Sequence, residues 1–348
     1  MILVTGGCGF IGTNFIRLWL AEKNEPVVNV DALTYAGNAE NLSDIQDNPD
    51  YYFEQVDICD ASAIADVLKR YRPRAILHFA AESHVDRSIT SPEAFLQTNV
   101  MGTFNLLHSA LAMWNTQGQP DGFRFLHVST DEVYGSLGKR DPAFTEQHRY
   151  QPNSPYSASK AASDHLVRAW HHTYDLPVLT TNCSNNYGPY QFPEKLIPLM
   201  IERGLSGESL PVYGDGNNVR DWLYVEDHCH AIMAVLEKGT PGETYNIGGN
   251  EERTNLDVVE NLTNVLQMMK PREGGYRELI RFVKDRPGHD RRYAINPTHI
   301  RDQLNWYPQI DFCEGLRRTV DWYLSNRTWV DRVKSGEYRH WLDHQYRS

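Results

Sequence analysis

The 348-residue sequence lacks any stretch approaching the roughly 20 uninterrupted apolar residues that a membrane-spanning helix needs. It also lacks a basic excess. Lys and Arg total 34 against 45 Asp and Glu, a net charge of -11. That balance argues against a nucleic-acid surface, which carries a basic footprint. It leaves room for an anionic small ligand, because a few local cations dominate a cleft. Cysteine is scarce. The five (Cys8, Cys59, Cys183, Cys229, Cys313) are scattered, with no CxxC pair and no metal-ligand spacing, so reduced thiols and no metal are expected. No internal repeat, low-complexity tract or long linker is present. A strand pattern starts at Met1 with no basic leader ahead of it, an expectation of a cytoplasmic protein.

What the sequence does have, in its first half, is alternation. Met1–Thr5, Val27–Asp31, Ala75–Ala80, Phe123–Ser129 and Val178–Cys183 are too short for helices and apolar on both faces, as strands of a covered parallel sheet are. Helical patterns fill the gaps at Phe10–Glu22, Ala61–Tyr71, Ser91–Trp114 and Ser157–Tyr174. Strict alternation predicts an α/β fold, a Rossmann-type doubly wound parallel sheet. After about Asn185 prolines and glycines become frequent and the strands shorten. Residues 186–348 therefore read as mainly a smaller mixed α/β substrate-binding lobe, with helices near Asp227–Glu237, Leu256–Met268 and Cys313–Ser325. Residues 1–185 read as the dinucleotide-binding domain, and the chain is free to cross between lobes more than once.

The first strand runs into Gly6-Gly7-Cys8-Gly9-Phe10-Ile11-Gly12. Glycines there allow a tight turn and bring backbone N–H groups to a pyrophosphate at a helix N-terminus. Nineteen residues after Gly12, Asp31 ends a strand, where an acid hydrogen-bonds a ribose 2′-hydroxyl and repels a 2′-phosphate. The pattern favours NAD over NADP. Asp57 and Ile58 are candidate adenine contacts, with a surface turn as the lesser alternative.

Tyr156 and Lys160 stand four apart at the start of a helical pattern and so share one face. A tyrosine base must overcome an unperturbed pKa of about 10, and half-ionising it near neutrality takes roughly 4 kcal/mol of preference for the phenolate. A nearby ammonium and an oxidised nicotinamide supply positive charge for this. Ser129-Thr130-Asp131-Glu132 ends another strand, at the sheet edge where ligands bind in open α/β folds. Thr130 would point a hydroxyl at substrate, and environment can split two adjacent acids into one acid and one base. The same four residues also make a good helix N-cap.

These residues resemble those of the extended short-chain dehydrogenase/reductase superfamily and, within it, of its nucleotide-sugar 4,6-dehydratases. The likeness runs essentially end to end. It rests on the glycine loop, Tyr156 and Lys160, and more specifically on Ala80-Ala81-Glu82-Ser83-His84-Val85-Asp86, Thr130-Asp131-Glu132 and Asn185-Asn186-Tyr187-Gly188-Pro189. Phe192-Pro193-Glu194-Lys195-Leu196, Arg220-Asp221-Trp222-Leu223-Tyr224-Val225-Glu226-Asp227 and Asp285-Arg286-Pro287-Gly288-His289-Asp290 extend it. Epimerases of the superfamily usually lack the acid pair after the threonine.

The resemblance implies a catalytic set of Thr130, Asp131, Glu132, Tyr156 and Lys160. Tyr156 would take the C4 hydroxyl proton, Glu132 the C5 proton, and Asp131 would protonate the departing C6 hydroxyl. It implies tightly bound NAD on Gly6, Gly9, Phe10, Ile11, Gly12, Asp31, Ala32, Leu33, Thr34, Asp57, Ile58, Phe79, Ala80, Ala81, Ser83, Thr98, Tyr156, Lys160 and Asn186. It implies a nucleotide-diphosphate sugar on Ser83, Thr130, Asn185, Lys195, Leu196, Pro211, Tyr213, Arg220, Asn255, Asp285, Arg286, His289 and Tyr346. The cations among these suit phosphate oxygens. A homodimer is implied through Ser91–Trp114 and Ser157–Tyr174, with Leu106, Leu107, Leu111, Leu166 and Trp170 as candidate contacts that would serve a monomer core equally well. Two departures stand out: a trimmed loop at Gly138-Lys139-Arg140-Asp141, and Cys8 where alanine is common. A UDP-sugar 4-epimerase, a UDP-hexose dehydratase and a non-catalytic NAD sensor remain alternatives.

Overall fold

Runs that are apolar on both faces can only be satisfied in the middle of a layered structure, and here they lie side by side in one sheet. The computed structural model describes residues 1–285 and 288–334. Its strands are β1 (Ile2–Thr5), β2 (Val27–Val30), β3 (Tyr51–Glu54), β4 (Ala75–His78), β5 (Arg124–Thr130), β6 (Val178–Cys183), β7 (Asn185–Tyr187), β8 (Leu210–Tyr213), β9 (Val219–Tyr224), β10 (Thr244–Ile247), β11 (Glu252–Thr254) and β12 (Ile280–Val283). Seven form an all-parallel sheet in the order β10-β6-β5-β4-β1-β2-β3. Both faces are covered. Along β1, Ile2 and Val4 join Phe15, Ile16 and Trp19 on one side, whereas Leu3 joins Leu106 and Leu107 on the other. Strand order reverses between β1 and β4, the place where such sheets open a crevice at their carboxyl ends.

Helices Phe10–Glu22 and Ala61–Tyr71 form as the periodicity predicts, and the expected Ser157–Tyr174 begins at Pro155. The expected unbroken helix Ser91–Trp114 differs. It runs as Pro92–Phe95, a π-helical segment Leu96–Gly102 and Thr103–Thr116. Asn99, inside the π segment, uses its amide to clamp Glu82: Nδ2 donates to Glu82 O at 3.0 Å and Oδ1 accepts from Glu82 N at 2.8 Å. The wider turn places that side chain beside the loop leaving β4, as π-bulges often do near function.

The smaller lobe holds a three-stranded sheet, β11-β9-β7, and a two-stranded one, β12-β8, over their own apolar cluster. The chain nonetheless returns to the large sheet. β10 pairs with β6, and the helix Val225–Lys238, read above with the smaller lobe, packs Cys229, Ile232 and Leu236 into the cluster around β1 and Phe10–Glu22. Of the residues offered as dimer contacts, Leu106 and Leu107 are fully buried in the monomer, and Leu111, Leu166 and Trp170 pack against that same core. Burying such side chains is worth about 1.5–3 kcal/mol each, so the monomer uses them first. Among the described residues no helix is long and apolar enough to cross a membrane.

Candidate active site

The glycine loop is dictated by close backbone approach. Gly6 has φ +72°, and a Cβ there would lie 2.6 Å from Ala80 N; one on Gly12 would lie 2.3 Å from Gly6 O. Only a hydrogen fits. The following helix, Phe10–Glu22, starts at Gly9 with no side-chain cap and no acid in its first turn. Its N–H groups and positive dipole end therefore remain available to an anion in the cleft. Gly6, Gly9, Phe10, Ile11 and Gly12 all line that cleft.

At the end of β2 the buried Asp31 accepts Cys8 N–H at one oxygen and Leu33 N–H at the other, both at 2.8 Å. Burial pushes this carboxyl up and the two backbone donors oppose it. Each oxygen keeps a second lone pair for a ribose hydroxyl. Asp31, Ala32 and Thr34 line the cleft, but Leu33 does not. Leu33, at φ +54°, packs on the core, and its N–H closes the loop around Asp31. Cys8 is buried and its thiol is pushed up to about 12 by burial, so it carries no thiolate chemistry. Asp57, Ile58, Phe79, Ala80, Ala81, Ser83, Thr98 and Asn186 complete the lining on this side. The tight glycine cradle, the uncapped helix end and the inward carboxylate together fit a dinucleotide with a free 2′-hydroxyl.

Where β5 ends, Thr130 caps a short 3₁₀ turn, Asp131–Tyr134, by accepting Glu132 N–H at 3.3 Å. The capping reading of this quartet is thus realised, and the cap fixes the turn that carries the two acids. Thr130, Asp131 and Glu132 line the same cleft as Tyr156 and Lys160. The helix bearing those two starts with a capping box in which Ser154 and Ser157 bond each other's backbone N–H, each at 3.0 Å. Lys160 Nζ donates to Val128 O at 2.9 Å.

The electrostatics split the titratable groups. Burial pushes Asp131 well above the usual carboxylate range, and the charge of Glu132 beside it adds to the push. Burial likewise raises the Tyr156 phenol, with Glu132 adding and a hydrogen bond from Thr130 opposing. Lys160 is lowered by burial against the pull of Asp164.

On the smaller-lobe side, Asn185, Lys195, Leu196, Pro211, Tyr213, Arg220, Asn255 and His289 line the cleft. Lys195 Nζ reaches across to Ser83 O at 3.0 Å, and Arg220 stacks 4.3 Å over Tyr293 while donating to Asp290 O at 3.0 Å. Asp285 does not line the cleft. Its carboxylate lies 2.6 Å from Nδ1 of His289, which does line it. Arg286 and Tyr346 lie outside the described residues. The trimmed loop Gly138–Asp141 folds back onto Arg292, whose guanidinium donates to Gly138 O and Asp141 O, and none of residues 133–155 lines the cleft.

Sequence reasoning missed a cluster at the cleft rim. Glu194 is 5% exposed, with carboxylate oxygens 3.8 Å from His84 Nε2 and 3.8 Å from Arg87 Nε. Arg87 sits 3.7 Å over the Tyr35 ring, and Tyr35 hydrogen-bonds Glu194. The motifs that held Glu194 and His84 were legible, but other members of them, such as Ser83, Lys195 and Leu196, were singled out instead.

Known proteins can be set beside this geometry. The GDP-mannose 4,6 dehydratase family model matches residues 3–319. The chain is 55% identical over 355 residues to dTDP-glucose 4,6-dehydratase 1 of Escherichia coli (strain K12), covering 99% of this chain and 98% of that one. Its fold matches dTDP-glucose 4,6-dehydratase from Streptomyces venezuelae with NAD and TYD bound, with a TM-score of 0.88, 47% identity and coverage of 96% and 99%. The Bacillus anthracis dTDP-glucose 4,6-dehydratase in complex with NAD matches with a TM-score of 0.85, 48% identity and coverage of 96% and 99%. This chain belongs to the dTDP-glucose 4,6-dehydratase family.

Proposed function

We infer that the chain is an NAD-dependent lyase that converts dTDP-glucose to dTDP-4-keto-6-deoxyglucose and water. When bound, NAD supplies reversible storage of a hydride, taken from sugar C4 and returned to C6. The glycine loop and Asp31 hold it, and the remaining steps fall to side chains of this chain.

Tyr156 takes the proton of the C4 hydroxyl; burial and Glu132 disfavour its phenolate, so the Thr130 hydrogen bond, Lys160 and the positive nicotinamide of bound NAD must offset them. The 4-ketone so formed makes the C5 proton acidic. Glu132 removes that proton, and Asp131 gives its own to the C6 hydroxyl, which leaves as water; C5 is later reprotonated. The observation that carries this reading is the acid pair itself: Asp131, buried beside Glu132, lines the same cleft as Thr130, Tyr156 and Lys160, and burial pushes its carboxyl upward, the direction a general acid needs. An epimerase has no use for such an acid.

Lys195 and Arg220 balance the diphosphate, joined by Arg286, while Asn185, Asn255 and His289 hydrogen-bond near it and Tyr213 packs by the base. In this assignment residues 1–185 carry the cofactor and the catalytic groups, and residues 186–348 mainly grip the nucleotide. We also propose a two-fold dimer through the helical stretches 92–116 and 155–174, supported by Leu96 (55% exposed), Met101 (45%) and Tyr174 (47%) on them. Sedimentation at micromolar concentration tests it, and a monomer there ends it.

The activity is tested by incubating purified protein with dTDP-glucose and, separately, UDP-glucose, followed by mass spectrometry of the sugar nucleotide. Loss of one water without added cofactor is expected, faster with dTDP-glucose. An unchanged mass with altered sugar configuration would point to an epimerase instead.

A further inference from the structure

Lys160 is buried, and beyond its hydrogen bond to Val128 O its ammonium needs a counter-charge, because a cation withdrawn from water without one is costly. One turn further along the same helix, at the spacing that puts both on one face, lies Asp164, itself 4% exposed. Its carboxylate is held from several sides. Ser129 Oγ donates to Oδ2 at 2.9 Å, and His127 Nε2 lies 3.1 Å from Oδ1. The Tyr150 hydroxyl also hydrogen-bonds it, while accepting from Asn182 Nδ2 at 3.2 Å. Val128, Ser129 and Thr130 are consecutive on β5, so one strand end carries the acceptor of Lys160, a donor to Asp164 and the hydroxyl beside Tyr156.

We propose that Asp164 is a positioning residue for the Tyr156–Lys160 pair, the buried counter-ion that keeps Lys160 charged and in place. This rests on the reading of Tyr156 and Lys160 as the proton-transfer pair. The other groups in this layer leave the role to Asp164. His127 and, behind it, His78 (rings 5.2 Å apart) are held neutral by burial, and the Cys183 thiol facing Lys160 is pushed up to about 12. His165, on the same helix, opposes the rise of Asp164 more weakly than Lys160 or Ser129 does. Burial pushes Asp164 up to about 6, and the pull of Lys160 and the donors of Ser129 and Tyr150 favour its charged form. The sign follows. Removing this charge takes away what raises Lys160, and the ammonium deprotonates at lower pH.

Asp164→Asn keeps the shape and a carbonyl for Ser129 while deleting the charge. NMR of isotope-labelled lysine, with Lys160 assigned by Lys160→Arg, should show its titration midpoint fall by about one unit or more, a tenfold or larger change in the equilibrium. The alkaline limb of the kcat profile should fall with it, at a KM changed by less than about threefold. An unmoved lysine titration and alkaline limb overturn the proposal. If that variant does not fold, Ser129→Ala keeps the charge but removes one of its donors. The acidic limb should then move to higher pH, and an unmoved acidic limb overturns the proposal equally. Tyr156→Phe is measured alongside. Full turnover there removes the reading of the pair itself, whereas an inactive Tyr156→Phe with an unshifted Asp164→Asn removes the Asp164 assignment alone.

Discussion

Replacing Asp131 by Asn together with Glu132 by Gln keeps the shape of the 3₁₀ turn while removing both a proton and a base from the cleft. The Thr130 cap bonds the backbone N–H of residue 132, which neither substitution touches. The first half of the reaction depends on Tyr156, Thr130 and Lys160 and should survive. The second half loses two proton transfers, each worth about 10²–10⁴-fold, or roughly 2.7–5.4 kcal/mol of barrier. The double variant should therefore reduce its bound cofactor on mixing with dTDP-glucose and then stall, with near-ultraviolet absorbance rising toward one equivalent per site. Rapid-mixing absorbance with product analysis reads both halves. The fold provides an internal control. A carboxyl whose folded pKa is raised contributes stability that is present below its unfolded pKa and lost as pH rises through the folded one. Asn has no such loss, so the melting temperature of the variant relative to wild type should climb from about pH 4 upward. Steady-state turnover near the wild-type rate, or a variant that stalls before any cofactor is reduced, refutes the division of labour between the acid pair and Tyr156.

Three further outcomes follow from the same geometry. Tyr156→Phe should slow single-turnover cofactor reduction by about 10²–10⁴-fold, and a normal rate there counts against Tyr156 as base. Gly12→Ala sets a methyl 2.3 Å from Gly6 O and 2.7 Å from Gly7 Cα, rigid neighbours both. Overpacking of this kind costs about 1–3 kcal/mol, so NAD affinity by titration calorimetry should fall about 5- to 150-fold, and unchanged affinity would remove the pyrophosphate from this loop. Arg220→Ala deletes a charged donor worth about 1.5–3 kcal/mol toward a phosphate, which should raise the KM for dTDP-glucose about 10- to 150-fold with kcat little changed. A kcat loss without a KM effect would place Arg220 outside the nucleotide grip.

Much of this site was legible because its chemistry is local in sequence. A glycine loop, an acid at a strand end and a Tyr-Lys pair one helical turn apart need no tertiary information. What was not legible depended on burial. The bounds of β3 were not legible because it is an edge strand that buries Tyr51 but leaves Tyr52 and Phe53 each 39% exposed, so no two-faced apolar run marks it. Leu33 packs on the core beside cleft-lining residues, at a φ of +54° that spacing alone does not reveal. Glu194 stood in sequence only as one member of a motif, and nothing in the sequence marked Asp164. Only the packed structure shows that each is almost wholly removed from water and ringed by donors. The return of β10 to the large sheet was equally hidden, because parallel pairing between Thr244–Ile247 and Thr180–Cys183 leaves no local signature.

The central claim is that a hydride leaves C4 and comes back to C6 of the same sugar within one cleft while the acid pair removes water between the two events. dTDP-glucose carrying deuterium at C4 tests it directly, with the product read by mass spectrometry and NMR in the presence of unlabelled substrate. The account predicts deuterium at C6 of the product, retained within the molecule that started with it. Deuterium lost to solvent, left at C4 or scrambled between molecules would contradict it.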